Sequence, residues 1–368
     1  MTRSIVLLLA VVTSVAGKAA PKKDDDELQL VQVLIRHGDR AATDQFATEK
    51  SGEVLFRGLG ELSDDGIDHA FAQGKQFRDR YVDDLKFIDG RYIPSEVRFR
   101  ASPVSRVLMS AGAFSTGLFG NTPKGHPVIP PIYTKDYADD SLLATAFDCT
   151  NGWDDIVKAL NLSSSENVAS TSLAAMENVM WPDTCKGVPS TKVDAIIAEL
   201  PNKLIDMPKE YNKCAKDPAK RFMYEYIALL GGAGIHYNEE RLNRTVGMLT
   251  DELLTNMDKK AACSLNSTCD MGSSEKFRVY YAHDVNVLAL AHVFKTIDMF
   301  EGMTPAFSSA LIFELWKKKD GHHVKVFLKN GQDAEFKESG FSKEYSTLEA
   351  VKTVGSKYAI NEKMQCNH

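Results

Sequence analysis

Short apolar segments that end in polar residues and lead into helical patterns most constrain the fold of this chain. Residues 28–35 read Leu-Gln-Leu-Val-Gln-Val-Leu-Ile, which is too short for a typical helix and apolar enough for a strand buried on both faces. Residues 97–100 and 277–282 have the same strand-like character, and a helical pattern follows each of them. Strands that alternate with helices predict an α/β fold, with a parallel-rich central sheet flanked by helices.

The middle of the chain has a different composition. Residues 131–255 are rich in helix formers, carry no clearly marked strand, and hold or adjoin four of the six cysteines. We therefore expect a mostly helical cap insert that divides an α/β core into two sequence pieces, residues 24–130 and 256–368. Within that core, Ser63 is the expected N-cap of a helix, and Asp320-Gly321 is the expected turn of a hairpin.

The first residues follow the layout of a secretory signal peptide. A basic start at Arg3 precedes an apolar run over residues 5–12, and small residues up to Gly17 offer a cleavage site. We expect residues 1–17 to be removed and the protein to be secreted, with a buried N-terminal helix or strand as the alternative reading. No later run reaches the roughly 18 uncharged residues of a membrane helix, so no membrane partner is expected.

Charge and cysteine content narrow the classes of partner and compartment. The formal net charge of −6 argues against a nucleic-acid partner, because binding to a phosphate backbone normally needs a basic face. Six cysteines in an exported chain suggest three disulfides, and about 15 pairings remain open. Three glycosylation sequons predict surface loops in the middle region, and they begin at Asn161, Asn243 and Asn266.

Three of the predicted strands end in residues that suit phosphoryl chemistry. One runs into residues 36–40, Arg-His-Gly-Asp-Arg, another into His283 and Asp284, and Arg100 ends a third. Ligands collect at the carboxyl ends of parallel strands, and guanidinium groups match phosphate oxygens. A histidine among arginines keeps a low pKa and stays nucleophilic in acid, while a carboxyl group can protonate a leaving oxygen. Gly38 is expected to let a ligand approach the backbone.

A purely structural reading competes with this site. The segment 36–40 could be a surface corner held by salt bridges, and Asp284 could do no more than cap the helix that follows it. The coincidence of the two segments, each at the end of an apolar strand, favours a functional site. Nothing in this residue set requires a metal ion or another cofactor.

These segments resemble the histidine acid phosphatases, the branch that includes prostatic, lysosomal and insect venom acid phosphatases. Residues 36–40 match the Arg-His-Gly-x-Arg signature in full, and His283 with Asp284 matches the second signature. The similarity continues in pieces over residues 28–366. The resemblance implies an enzyme in which His37 is the phosphorylated nucleophile and Asp284 protonates the leaving alcohol.

The resemblance also implies further site residues and one disulfide. The phosphate-binding set that it implies is Arg36, Arg40, Arg78, Arg100 and His283. The implied disulfide joins Cys149 to Cys366. Proximity in sequence alone suggests the two other pairs, which are Cys185 with Cys214 and Cys263 with Cys269.

Two functions are compatible with the sequence. The first is a secreted acid phosphatase that hydrolyses small phosphate monoesters through a phosphohistidine; acid preference follows because Asp284 must be protonated in the loaded enzyme. The second is a catalytically weak secreted protein that binds small ligands in the same pocket. His37 and Asp284 favour the first, whereas residues 101–103, which read Ala-Ser-Pro where the family tends to have Ser-Thr-Asp, favour the second. Dimers occur in the family, so both a monomer and a homodimer are compatible with the resemblance.

Overall fold

The computed structural model covers most of the predicted core and part of the middle region. It describes residues 26–43, 56–143, 181, 183–199, 209–215, 217–263 and 274–361. Several predictions lie outside these ranges: the signal peptide over residues 1–17, the sequons at Asn161 and Asn266, and the cysteines Cys149, Cys269 and Cys366.

The described strands form one mixed sheet in the order β3-β2-β4-β1-β5-β6-β7. Their bounds are β1 Glu27–Arg36, β2 Val97–Ala101, β3 Ile132–Tyr133, β4 Phe277–Ala282, β5 Ala310–Lys318, β6 Gly321–Lys329 and β7 Lys337–Glu338. The first four strands in that order run parallel, and β5, β6 and β7 pair antiparallel to their neighbours. The prediction of an α/β fold with a parallel-rich central sheet is confirmed.

Helices cover both faces of the sheet. The described α-helices are α1 Asp64–Arg78, α2 Ser105–Phe119, α3 Val193–Glu199, α4 Asp217–Gly231, α5 Glu239–Cys263, α6 Asp284–Val293, α7 Phe341–Glu344 and α8 Leu348–Gly355. A π-helical turn, Asp79–Asp84, continues α1. Short 3-10 turns lie at Tyr137–Asp139, Asp183–Cys185, Ser190–Lys192, Lys209–Lys213, Gly234–His236 and Ile297–Phe300.

β1 is the central strand of the sheet and is buried on both faces, as its apolar sequence predicts. It pairs in parallel with β4 on one side and antiparallel with β5 on the other. Val33 and Ile35 pack in a cluster with residues of α1 and α2, while Leu34 packs on the opposite face with residues of α5 and α6. This double burial fixes the strand whose carboxyl end carries residues 36–40.

α1 and α2 approach each other so closely that their contact leaves no room for side chains at two glycines. A Cβ atom added at Gly74 would lie 2.1 Å from the carbonyl oxygen of Phe114, and one at Gly117 would lie 2.1 Å from that of Phe71. The predicted N-cap is present, because the Ser63 hydroxyl accepts a hydrogen bond from the Gly66 N–H at 3.1 Å. The contact with α2 and this cap orient the start of α1 toward the end of β1.

The region predicted as a helical cap contributes directly to the core. α4 and α5 pack against α6, and α5 also contacts β1. Phe222 and Leu242 share an apolar cluster with Leu34 of β1. Within the predicted insert, α5 therefore packs on the sheet, α4 packs on α6, and β3 adds an edge strand. The division of the chain at residues 131–255 stays a prediction.

Two other predictions about the middle region can be compared with the structure. Cys185 and Cys214 form a disulfide, and Cys263 is also disulfide-bonded, to a cysteine outside the described residues. Asn243 lies within α5, and its side-chain oxygen is buried. The prediction that this sequon lies in a surface loop is therefore wrong. None of the helices in the described ranges is both long enough and apolar enough to cross a membrane.

Candidate active site

The carboxyl ends of three parallel strands bring the candidate residues together. His37 follows β1, Ser102 follows β2 and His283 follows β4. The His37 N–H donates a hydrogen bond to the Ala282 carbonyl at 3.1 Å, which continues the β1–β4 ladder past the strand end. The rings of His37 and His283 consequently lie edge to face, with their centroids 5.7 Å apart.

His37 is held as a neutral imidazole with one defined tautomer. Its Nδ1 lies 2.9 Å from the carbonyl oxygen of Gly38, and because a carbonyl can only accept, Nδ1 carries the proton and Nε2 keeps its lone pair. Burial lowers the pKa of His37 well below its ordinary value, and the charges of Arg106 and Arg36 lower it further. A neutral ring with an unprotonated Nε2 is the form that a nucleophilic histidine requires.

Gly38 packs so closely against α1 that a side chain at this position would clash, while the approach of a ligand to its backbone stays a prediction. A Cβ atom at Gly38 would lie 2.6 Å from the carbonyl oxygen of Gly66, in the first turn of α1. The Gly38 N–H donates to the Ser110 hydroxyl of α2 at 3.0 Å. Both helices therefore lock the segment after β1 in place, and that contact fixes the His37 ring.

Arg36 and Asp284 form an ion pair beside His37, in which Arg36 is buried and Asp284 is partly exposed. The guanidinium Nη2 lies 2.7 Å from Asp284 Oδ2, and Nη1 donates to the carbonyl of Pro305. Asp284 is the first residue of α6, and its Oδ1 accepts the Val285 N–H at 2.8 Å. Burial acts to raise the pKa of Asp284, but the positive charges of Arg36 and Arg40 prevail, so its pKa lies below the ordinary value.

His283 is a second neutral imidazole in the site. Its Nε2 lies 3.2 Å from the Ser102 hydroxyl, and its backbone N–H donates to Asn286 Oδ1 at 3.3 Å. Burial and the charge of Arg106 lower the pKa of His283 to about 3, although Asp284 acts in the opposite direction. Ser102 thus gives His283 a hydroxyl partner within the segment 101–103.

Arg40 is oriented by a carboxylate from the middle of the chain. Asp194 of α3 accepts from Nη1 and Nη2 of Arg40 at 3.0 and 2.9 Å, and also from the N–H and hydroxyl of Thr43. Burial acts to raise the pKa of Asp194, but the charge and hydrogen bonds of Arg40 lower it to about 2. Asp194 is therefore ionised across the whole acidic range, and it holds the end of the segment 36–40.

Arg106, in the first turn of α2, is an arginine whose charge lowers the pKa of both histidines. Among the charged groups, Arg106 has the largest effect in lowering the pKa of both His37 and His283. Its own pKa, lowered to about 10 by burial and Arg40, leaves it charged in acid. Arg100 instead pairs with the fully buried carboxylate of Asp140 and with the Ala101 carbonyl.

Arg78 lies away from the histidines. It ends α1, and its Nη1 donates to the carbonyls of Leu118 at 2.9 Å and Gly90 at 3.3 Å. Gly66, which touches Gly38, is at the other end of the same helix, roughly 18 Å away along the axis at 1.5 Å per residue. The structure therefore does not bring Arg78 together with the other predicted site residues, and we leave it out of the proposed phosphate-binding set.

A cavity of about 880 Å³ adjoins the site on the side of Arg36. Asp39 lines this cavity and accepts a hydrogen bond from His69 Nδ1 at 2.7 Å. The aspartate of the segment 36–40 is therefore part of the cavity wall. Phe307 and Arg36 line the cavity as well, and the Arg36 guanidinium carbon lies 4.2 Å from the centroid of the Phe307 ring. The site thus combines neutral imidazoles, a carboxylate and several guanidiniums, a set suited to an anionic group such as phosphoryl.

The sequence pattern of one protein family extends over nearly the whole described core. The pattern described as "Histidine phosphatase superfamily (branch 2)" matches residues 27–329. The chain belongs to this superfamily.

Curated relatives of this histidine phosphatase are acid phosphatases. Prostatic acid phosphatase of Mus musculus is 26% identical over 325 residues, which cover 83% of this chain and 79% of the relative. Lysosomal acid phosphatase of Xenopus laevis is 25% identical over 346 residues, which cover 88% of this chain and 74% of the relative. A phytase of Klebsiella sp ASR1 has the same fold, with a TM-score of 0.56 at 16% identity over 94% of this chain and 99% of that structure.

Three groups of this histidine phosphatase escaped the sequence interpretation. Arg106 lies in the first turn of the helix after β2, where anions commonly bind, and that position is the signal that could have distinguished it from Arg100. Asp194 is 154 residues from Arg40, so no local pattern connects the two. His69 has only a helix context, and its contact with Asp39 depends on the packing of α1 against the end of β1.

Proposed function

We propose that this histidine phosphatase hydrolyses phosphate monoesters in acid through a phosphohistidine on His37. The observation that carries the proposal is the buried neutral ring of His37, whose Nε2 is unprotonated beside the Arg36–Asp284 pair. Relatives named acid phosphatases support the reaction class. The arrangement supports a nucleophile, a proton donor and a set of cations within one site.

In the proposed complex, the phosphoryl oxygens are held by Arg36, Arg106 and His283, with Arg40 adding its charge. The Nε atoms of Arg36 and Arg106 are buried and have no acceptor among the described residues, so each can donate to a ligand. These groups also concentrate positive charge where negative charge gathers in the transition state.

The first chemical step transfers the phosphoryl group to the protein. Nε2 of His37 attacks phosphorus, the ester P–O bond breaks, and the leaving oxygen takes a proton from Asp284. In the second step, Asp284 accepts a proton from water, whose oxygen attacks phosphorus and breaks the N–P bond. Inorganic phosphate leaves, and His37 returns to its neutral state.

The pKa of Asp284 must change when substrate binds. In the free protein the cations beside it keep this pKa low. The negative charges of a bound phosphoryl group neutralise those cations and approach the carboxylate, and both effects raise the pKa of Asp284. The loaded site can therefore hold the protonated carboxyl that the first step consumes.

Secretion is part of the same proposal. It is supported by the signal-like residues 1–17 and by the Cys185–Cys214 disulfide, which is typical of oxidising compartments. N-terminal sequencing of protein from the culture medium should find a chain that starts close after residue 17. Retention of the uncleaved chain inside the cell would contradict this part.

Hydrolysis of p-nitrophenyl phosphate across acidic to neutral pH tests the proposal. We expect turnover in acid that falls as pH rises through the pKa of Asp284 in the complex, because the deprotonated carboxylate cannot protonate the leaving oxygen. Acidity should inhibit only below the lowered pKa of His37. A folded protein that binds phosphate without turnover would instead support the alternative of a ligand-binding protein.

The assignment of Arg106 makes a separate prediction. Arg106→Ala should weaken binding of inorganic phosphate by roughly 10- to 100-fold, because a charge-assisted pair contributes about 1.5–3 kcal/mol. The matched control is Arg78→Ala, for which we expect a change of less than about twofold. Isothermal titration calorimetry of the two variants and the wild type measures both. Equal weakening by the two substitutions would return Arg78 to the site and contradict the assignment.

A further inference from the structure

The ring of Phe307 lies close to several residues of the proposed phosphoryl site, although Phe307 belongs to neither signature. The Arg36 guanidinium carbon lies 4.2 Å from the ring centroid, and that of Arg40 lies 5.9 Å from it. The ring of His37 is 5.8 Å away, centroid to centroid. One uncharged side chain therefore faces two of the proposed phosphate-binding cations and the proposed nucleophile.

The backbone beside Phe307 is fixed to the end of β1. The Ser308 N–H donates to the His37 carbonyl at 3.1 Å, and the Ser309 carbonyl accepts the Arg36 N–H at 2.9 Å. The Ser308 carbonyl accepts from Gln73 Nε2 at 2.6 Å. These bonds tie the segment that carries the ring to the same residues that the ring faces.

Ser308 adopts a backbone conformation that residues other than glycine rarely occupy. Its φ is 59°, and the residue is buried, with 1% of its surface exposed. Such strain persists only where surrounding contacts impose it, and it is concentrated at functional sites. Here the turn at Ser308 directs the chain so that Phe307 lies over Arg36 before β5 begins.

Phe307 lines the 880 Å³ cavity together with Arg36, Asp39 and Met303. Phe307 and Arg36 therefore border the same space, and the ring covers one face of the Arg36 guanidinium. An aromatic face attracts a guanidinium through its quadrupole and leaves the N–H groups at the rim free to bond in the plane. In Arg36 those groups point to Asp284 and to the Pro305 carbonyl.

We propose that Phe307 is a positioning residue that holds the guanidinium of Arg36, and secondarily that of Arg40, in the plane needed to bind a phosphoryl group. This inference rests on the proposed function only in taking these arginines as phosphate ligands. A role limited to core packing predicts a change in stability alone. A positioning role predicts a change in affinity for inorganic phosphate even in a variant that folds normally.

Calorimetric titration of the full chain with inorganic phosphate distinguishes these roles. Phe307→Leu should raise the phosphate Kd by between about two- and thirtyfold, the range expected for loss of a partly buried cation–π contact. Phe307→Tyr keeps the ring and should bind within about twofold of wild type. Met303→Ala removes a different side chain from the same cavity and should also leave the Kd unchanged within about twofold.

Incorporation of pentafluorophenylalanine at position 307 provides a second variant if Phe307→Leu does not fold. It keeps the size and apolar character of the ring but reverses its quadrupole, so phosphate binding should weaken although the core remains filled. An unchanged Kd in a folded Phe307→Leu or pentafluoro variant overturns the proposal, as does equal weakening by Met303→Ala. A wild type that binds no phosphate also overturns it.

Hydrolysis of p-nitrophenyl phosphate tests the proposed catalytic function separately from the phosphate Kd. A wild type that binds phosphate but does not hydrolyse p-nitrophenyl phosphate refutes the phosphatase function, while the Kd comparison still decides the role of Phe307. Conversely, normal turnover with an unchanged Kd in the variants refutes the role of Phe307 and leaves the phosphatase function intact.

Discussion

Replacing His37 by alanine is expected to lower kcat/KM for p-nitrophenyl phosphate by at least about 10⁴-fold. The reason is the loss of the only group that the proposed mechanism uses to accept the phosphoryl group. The neighbouring His283 does not substitute for it, because its Nε2 faces the Ser102 hydroxyl at 3.2 Å. Steady-state hydrolysis at acidic pH, with protein that matches wild type in circular dichroism, measures the loss.

Two controls separate lost chemistry from lost structure in this variant. His126→Ala removes an exposed histidine outside the site and should keep the activity of wild type. His37→Ala should itself still bind inorganic phosphate, because Arg36, Arg40 and Arg106 remain in place. Activity in His37→Ala within tenfold of wild type would contradict the assignment of His37 as nucleophile.

Asp284→Asn is expected to lower kcat by about 10²–10⁴-fold for an alkyl phosphate such as 2-glycerophosphate, since general acid catalysis contributes on this scale. An alkoxide leaves slowly without a proton, whereas p-nitrophenolate leaves readily by itself. The loss should therefore be clearly smaller for p-nitrophenyl phosphate. The asparagine keeps the shape of the side chain and a hydrogen-bonding oxygen for Arg36, which preserves much of the packing around the ion pair.

The pair of substrates makes the test of Asp284 specific to proton donation. If the substitution only disturbed Arg36, both substrates would lose the same factor, because both present the same phosphoryl group. The alkaline fall of the wild-type pH profile should also disappear in Asp284→Asn, since no carboxyl remains to deprotonate. Equal losses for the two substrates would contradict the role of Asp284 as general acid.

Short sequence patterns predicted those elements whose burial and hydrogen bonding depend on neighbouring residues. The apolar run over residues 28–35 is a strand buried on both faces, and Ser63 caps the helix that follows the first site segment. The layer position of α4 and α5 could not be predicted in the same way. Their amphipathic pattern fits a separate cap as well as a layer of the core, and the contacts of α5 with β1 and of α4 with α6 join residues that are distant in sequence.

The site residues show the same division between local and distant information. His37 and Asp284 end strands and could be located by that position, because parallel strands deliver their carboxyl ends to one edge. Arg100 was predicted from its position at a strand end and from the family resemblance, and Arg106 was not considered. In the structure Asp140 already pairs with Arg100, whereas the charge of Arg106, in the first turn of α2, lowers the pKa of both histidines.

The most direct test of the account is rapid trapping of the phosphorylated protein during turnover. Wild type and His37→Ala are mixed with p-nitrophenyl phosphate, quenched within milliseconds in alkali, in which phosphohistidine survives, and digested for mass spectrometry. The account predicts one phosphoryl group on the peptide that contains His37 in wild type, and none in His37→Ala. A phosphoryl group on another residue, or turnover by wild type with no phosphorylated peptide, would contradict the phosphohistidine mechanism.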